Sequence, residues 1–116
     1  MYSINWIEIP AVDHQRAVQF YSTLLDTPIE QGQTLGMPYS MLPRGMGAIA
    51  TSDHVSPSAG GVTVYIHLGE DMSPALEKVE AAGGKVIVPK TPLGEENFFA
   101  IIHDSEGNRI GLYSDN

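Results

Sequence analysis

The order of secondary-structure signals runs through this chain twice, and that repetition restricts its possible folds more than any other feature. In the first half, an extended stretch around Ile4, Ile7 and Ile9 is closed by Pro10, which lacks a donor N–H and belongs at a strand end or edge. Asp13 is placed to cap a helix, because its carboxylate can accept from the free N–H groups of a first turn. The apolar positions Ala17, Val18, Phe20, Tyr21, Leu24 and Leu25 form one helical stripe, and Pro28 stops it. Short strand-like segments follow at 29–35, 39–42 and 46–51, separated by Gly36-Met37-Pro38 and Pro43-Arg44-Gly45. After a small, polar stretch the order begins again. Val62–Leu68 is β-branched and aromatic, a strand composition. Ser73-Pro74 reads as a cap followed by Pro at the first helical position, and Met72, Ala75, Leu76, Val79 and Ala82 make the second stripe. Gly83-Gly84 supplies a left-handed helix end, and Lys85–Val88 is a strand ended by Pro89. Phe98–His103 and Arg109–Ser114 then flank the turn Asp104-Ser105-Glu106-Gly107-Asn108, a hairpin signal.

The chain therefore reads as a single α+β domain over 1–116, built of a βαβββ module at 2–52, a Gly-, Ser- and Pro-rich linker at 53–61 and a second βαβββ module at 62–114. The last strands of the halves align at a constant offset, Gly45–Ser52 against Gly107–Ser114. One such unit buries one sheet face under its helix. Its other face is unsatisfied until a second unit curls against it, which predicts a curved, mostly antiparallel sheet around a cleft. Exposed strand edges and a small core favour a homodimer.

Charge and cysteine content exclude several functions. Lys+Arg number 6 and Asp+Glu 14, a net charge of -8, so a run of nucleic-acid phosphates or an anionic membrane surface would be repelled. Cysteine is absent, which removes disulfides, thiolate metal sites and a cysteine nucleophile. Any metal would have to use His, carboxylate or water. No basic residue precedes an apolar stretch in MYSINWIEIP, and the longest apolar run, Phe98–Ile102, is far too short to span a bilayer, so a cytoplasmic location is expected. No nucleotide-cradling glycine loop and no GxSxG elbow is present.

Three motifs, in order, carry a family resemblance. They are Asp13-x-x-x-Ala17-x-x-Phe20-Tyr21, Glu80-Ala81-Ala82-Gly83-Gly84, and His103-Asp104-Ser105-Glu106-Gly107-Asn108-Arg109-Ile110-Gly111-Leu112. Together they resemble the vicinal oxygen chelate superfamily, which includes glyoxalases, bleomycin-resistance proteins, extradiol dioxygenases and methylmalonyl-CoA epimerases. Ser105 stands where the family's turn usually has Pro. The resemblance implies paired βαβββ modules around a ligand cleft, usually in a homodimer. It also implies a divalent metal held by a His or Gln on the first strand, a His on the first strand of the second half and a Glu on each half's last strand. Those positions fall here on Trp6, on Thr63 or Val64, and on Ile49 and Gly111. None is a side-chain ligand of the usual kind, so no cofactor is expected and the cleft is expected to take a small organic molecule without metal.

Strand alternation puts Trp6 and Glu8 on one face, Thr63, Tyr65 and His67 on one face, and Arg109, Gly111 and Tyr113 on one face. If these faces line the cleft, Trp6, Tyr65 and Tyr113 can stack on a flat ligand and Arg109 can clamp a carboxylate. Glu8 and His67 can act as an acid–base pair, which would suit a glyoxalase-type lyase or isomerase, or a dioxygenase. Glu8, His67 and His103 are the residues from which a non-standard metal set would have to be drawn. Each also has a plainer reading: Trp6 as core or dimer interface, Glu8, His67 and Arg109 as solvated charges. Met37, Met41 and Met46 can form an adaptable apolar wall or fill the core. A dimeric interaction domain with no ligand is the third alternative.

Overall fold

A computed structural model describes residues 2–116. The chain forms two four-stranded mixed sheets. The first contains β1 (Ile7–Pro10), β2 (Gln33–Thr34), β3 (Met37–Met41) and β4 (Gly47–Ala50), in the order β1-β4-β3-β2. The second contains β5 (Val64–His67), β6 (Lys85–Pro92), β7 (Phe98–His103) and β8 (Arg109–Ser114), in the order β5-β8-β7-β6. In each, the first strand runs parallel to the last, and the remaining pairs are antiparallel. The helices α1 (His14–Leu24) and α2 (Ser73–Lys78) follow β1 and β5. This is the doubled βαβββ order expected from the sequence, and the two sheets do not close into a barrel.

One apolar cluster serves both modules. It joins Ile9 and Ile49 of the first sheet, Phe20, Tyr21 and Leu24 of α1, and Ile66, Ile102, Ile110 and Leu112 of the second sheet. Burying side chains of this size stabilises the fold by about 1.5–3 kcal/mol each, so the shared core dominates the energetics. Helix α1 forms where its stripe predicts. The Asp13 carboxylate accepts from the Arg16 N–H at 3.1 Å, and the helix ends before Pro28 at Leu24.

The motifs that carry the resemblance are the joint between the modules. Tyr21, fully buried on α1, donates its hydroxyl to Asp104 Oδ2 at 2.5 Å. Asp104 also accepts from the N–H groups of Glu106 and Asn108 and from Asn108 Nδ2, each at 2.9 Å. Asn108 Nδ2 reaches back to the Pro10 carbonyl at 2.7 Å. Glu106 Oε1 accepts from the backbone N–H groups of Val12 and Asp13, at 2.9 and 2.7 Å, at the entrance of α1. Both its oxygens receive the Arg16 guanidinium, at 2.6 and 3.1 Å. Burial by itself pushes the Glu106 carboxyl up, but Arg16, Ser105 and the two backbone donors outweigh it and hold the group below its ordinary value. Gly84 permits the same contact. A Cβ there would lie 2.5 Å from the His103 carbonyl oxygen and 2.6 Å from the Phe20 ring.

Several local expectations are corrected. No strand forms at 29–32, where residues precede the short β2. Helix α2 spans only six residues; its cap position is Met72, and Ser73 lies inside it with its N–H bound by Asp71. β6 runs through Pro89 to Pro92, because it is a sheet edge with register shifts, where a missing donor is tolerated. The repeat offset also slips by one residue. Ile49 faces the core whereas Gly111 faces the opposite side, so the open-face positions of β4 are Ala48 and Ala50. His14, in the first turn of α1, is half-buried and bonded at both ring nitrogens, to Thr51 Oγ1 at 2.9 Å and Ser40 Oγ at 2.8 Å.

Candidate functional site

Each sheet has a covered face and an open one, and the side chains singled out from the sequence stand on the open faces. In the first sheet, Glu8 is registered with Ala48, and Ala48 and Ala50 with Met41 and Tyr39. Trp6, Glu8, Met37, Tyr39 and Met41 therefore stand over a floor of Ala48 and Ala50, two buried alanines that lie outside the core cluster. Trp6 is 40% exposed, so it is not a core residue. Its indole N–H donates to the Tyr39 hydroxyl at 2.7 Å, and that hydroxyl donates to Glu8 Oε2 at 2.8 Å. Burial, followed by the bond to Glu8, raises the Tyr39 phenol above its ordinary value, against the indole donation that lowers it. The relay fixes the tryptophan edge and the carboxylate relative to each other. Sequence reasoning missed Tyr39 as its middle member. The alternation Met37, Tyr39, Met41 was the available signal.

In the second sheet, Tyr65 is registered with Gly111, His67 with Tyr113 and Ile101 with Gly111. The Tyr65 ring, 53% exposed, lies across Gly111, where a Cβ would come within 2.3 Å of it. His67 meets the Tyr113 ring edge-on at 5.0 Å and places Nε2 3.2 Å from Asp115 Oδ1, a partner the sequence reading did not assign. Arg109 is tied down: Nε donates to Thr63 Oγ1 at 2.8 Å and Nη2 to the Gly61 carbonyl at 2.7 Å. That grip orients the guanidinium while it occupies two of its donors. Glu8 and His67 each sit on an edge strand of their own sheet, and no hydrogen bond joins them. Of the methionines, Met37 and Met41 stand on the open face, whereas Met46 packs against the core.

The residues at the family's metal positions do not fit a metal. Trp6, Val64 and Gly111 offer no lone pair for a cation, Thr63 Oγ1 is already bound by Arg109 Nε, the Tyr65 ring fills the space over Gly111, and β4 presents alanines. Among the described residues, no three His, Asp or Glu side chains come together as a cation would require, and Glu8, His67 and His103 do not form such a set. Among the same residues, no helix is long and apolar enough to cross a membrane.

Paired βαβββ modules with open-faced sheets over a joined helical layer define a class of protein, and the comparisons agree with it. A family model described as the Glyoxalase/Bleomycin resistance protein/Dioxygenase superfamily matches residues 3–112, and the chain belongs to that superfamily. It is 29% identical over 122 residues to a protein of Mycobacterium bovis named "Putative glyoxylase CFP32", covering 97% of this chain but 45% of that protein. The chain thus spans about half the length of that relative. It is 31% identical to a "Glyoxylase-like domain-containing protein" of Didymella fabae, over 90% of this chain and 88% of the other. Among solved structures, a glyoxalase/bleomycin resistance protein from Albidiferax ferrireducens T118 superposes with a TM-score of 0.74 at 17% identity, over 97% of this chain and 98% of that one.

Proposed function

We propose that this protein binds a small organic molecule on the open sheet faces, without a bound metal, as a cytoplasmic homodimer. The supporting observation is the Trp6–Tyr39–Glu8 relay over its alanine floor. It sets an oriented aromatic edge and carboxylate where the family's metal enzymes place an ion-binding side chain. Large apolar side chains left on open sheet surface favour burial, and a ligand and a second copy of the chain both supply it. Tyr65 and Tyr113 offer further stacking surface, and the anchored Arg109 has a donor group left for a carboxylate.

Trp6 is the only tryptophan, so indole fluorescence reports on this site alone. The protein, stripped of ions with a chelator, is titrated with a panel of flat and carboxylated molecules. The proposal expects saturable change in Trp6 emission by at least one class, unaltered when zinc, nickel, manganese or iron is restored. Binding that appears only after a metal is added would overturn it. So would full-panel silence together with a monomeric sedimentation profile.

A further inference from the structure

A cavity of about 710 Å³ lies on the helical side of the molecule, where the end of α1, the 3-10 turn at Pro43–Gly45, the end of β5 and the start of α2 meet. Its apolar lining includes Leu24, Met46, Ile66 and Ala75. The volume is in the range of small-molecule sites. Of the open-face side chains described above, only His67, at the end of β5, reaches its rim.

The charges at this cavity are unusual for this chain. Only six side chains are cationic by formal count, and the net charge is -8. Two of them, Arg44 and Lys78, line this one cavity. Among the described residues neither forms an ion pair, and neither side chain makes a hydrogen bond, whereas Arg16 and Lys90 are paired with carboxylates. Asp26 and Asp71 also line the cavity. Asp71 is already engaged by Lys90 at 3.0 Å and by the Ser73 N–H at 2.9 Å. That leaves one uncompensated carboxylate, Asp26, against two uncompensated cations.

Backbone conformation is a second, independent observation. Arg44 has φ +60, in the left-handed region that a bulky side chain rarely adopts, and Gly45 follows at φ +69. Glycine at 44 would relieve the turn, yet an arginine stands there. Strain of this kind is retained where the surrounding structure over-determines it, often at ligand sites. Asp26, at φ +49, is another of the three non-glycine residues with left-handed backbone among the described residues, and it too lines the cavity.

We infer that this cavity binds an amphiphilic carboxylate, its apolar part against Leu24, Met46 and Ala75 and its charged end between Arg44 and Lys78. The test is amide NMR of the full chain titrated with octanoate, with octanol and octylamine as matched controls. Octanoate is expected to move the amides of Asp26, Arg44, Gly69 and Ala75 to saturation and to bind at least about tenfold more tightly than either control. Arg44→Asn, chosen because Asn tolerates the left-handed backbone, and Lys78→Gln should each weaken octanoate by about tenfold or more, the scale of a lost charge-assisted hydrogen bond. Unchanged spectra elsewhere show that both variants fold. Equal binding of the three probes, absence of saturable shifts with octanoate, or unaltered affinity in both variants would overturn the inference. Shifts confined to Ala48, Tyr65 and Gly111 would also overturn it, while leaving the open-face proposal standing.

Discussion

Removing one oxygen atom should show how strongly the two modules are held together. Tyr21→Phe keeps the ring, so it opens no cavity among the core residues around Phe20 and Ile102. It deletes only the hydroxyl that donates to Asp104 at 2.5 Å. Asp104 is 3% exposed and keeps three other donors, so the lost bond is one between a buried phenol and a multiply bonded carboxylate. Hydrogen bonds to charged groups contribute about 1.5–3 kcal/mol, and the expected loss is about 2 kcal/mol. For a chain of this length that lowers Tm by about 8 °C. Urea unfolding at neutral pH, followed by Trp6 emission and far-UV circular dichroism, measures it, with an unchanged m-value if only stability moves. Tyr113→Phe is the control, because no hydrogen bond of the Tyr113 hydroxyl is found, and it should stay within about 0.5 kcal/mol. Burial, reinforced by the Asp104 carboxylate, holds the Tyr21 phenol well above its ordinary 10.0. The neutral phenol's contribution is therefore complete below that pH and declines as pH rises beyond it. A loss below about 0.5 kcal/mol in Tyr21→Phe, or a separation of the two probes' transitions, would refute the reasoning.

Other perturbations follow from the same geometry. The Glu106 carboxyl is held below its ordinary 4.5, so its stabilisation is present above that value and is lost as pH falls through the lower folded value. Glu106→Gln should therefore flatten the acid side of stability measured by urea midpoints from pH 7 to 3; an unchanged slope would contradict this. Hydrogen bonds from the Ser73 backbone and hydroxyl, then from Lys90, lower the Asp71 pKa to about 2, and carboxyl NMR should find it there in the native chain and higher in Lys90→Met. Gly84→Ala sets a methyl against the His103 carbonyl and the Phe20 ring and should cost about 1–3 kcal/mol in denaturant unfolding. Gly111→Ala first meets the exposed Tyr65 ring, which can swing away, so it should cost less than Gly84→Ala and show instead as a shift of Tyr65 ring resonances.

Residues with a local geometric duty were legible in the sequence. Asp13 caps, Tyr21 repeats on a helical face, and Asp104, Gly107 and Asn108 build a turn; each duty depends on neighbours a few positions away. The open-face placement of Trp6, Tyr65 and His67 followed from strand alternation, since period 2 survives any sheet topology. What failed was comparison across the repeat. Two identities in eight aligned Ile49 with Gly111, and a single-residue slip exchanges the covered and open faces. Partners distant in sequence left no pattern to read. Arg16 with Glu106 is separated by 90 positions, and Trp6 with Tyr39 by 33, so only folding shows that these pairs meet. The cavity beside Arg44 was hidden for the same reason, being assembled from four separate segments.

Native mass spectrometry tests the central claim most directly. The intact protein is incubated with zinc, nickel, manganese and iron, exchanged into volatile buffer and weighed together with the molecule that most strongly changes Trp6 emission. The account predicts a two-chain assembly that gains the organic molecule's mass and no stoichiometric ion. One tightly held ion per chain, with the organic molecule retained only in its presence, would contradict it.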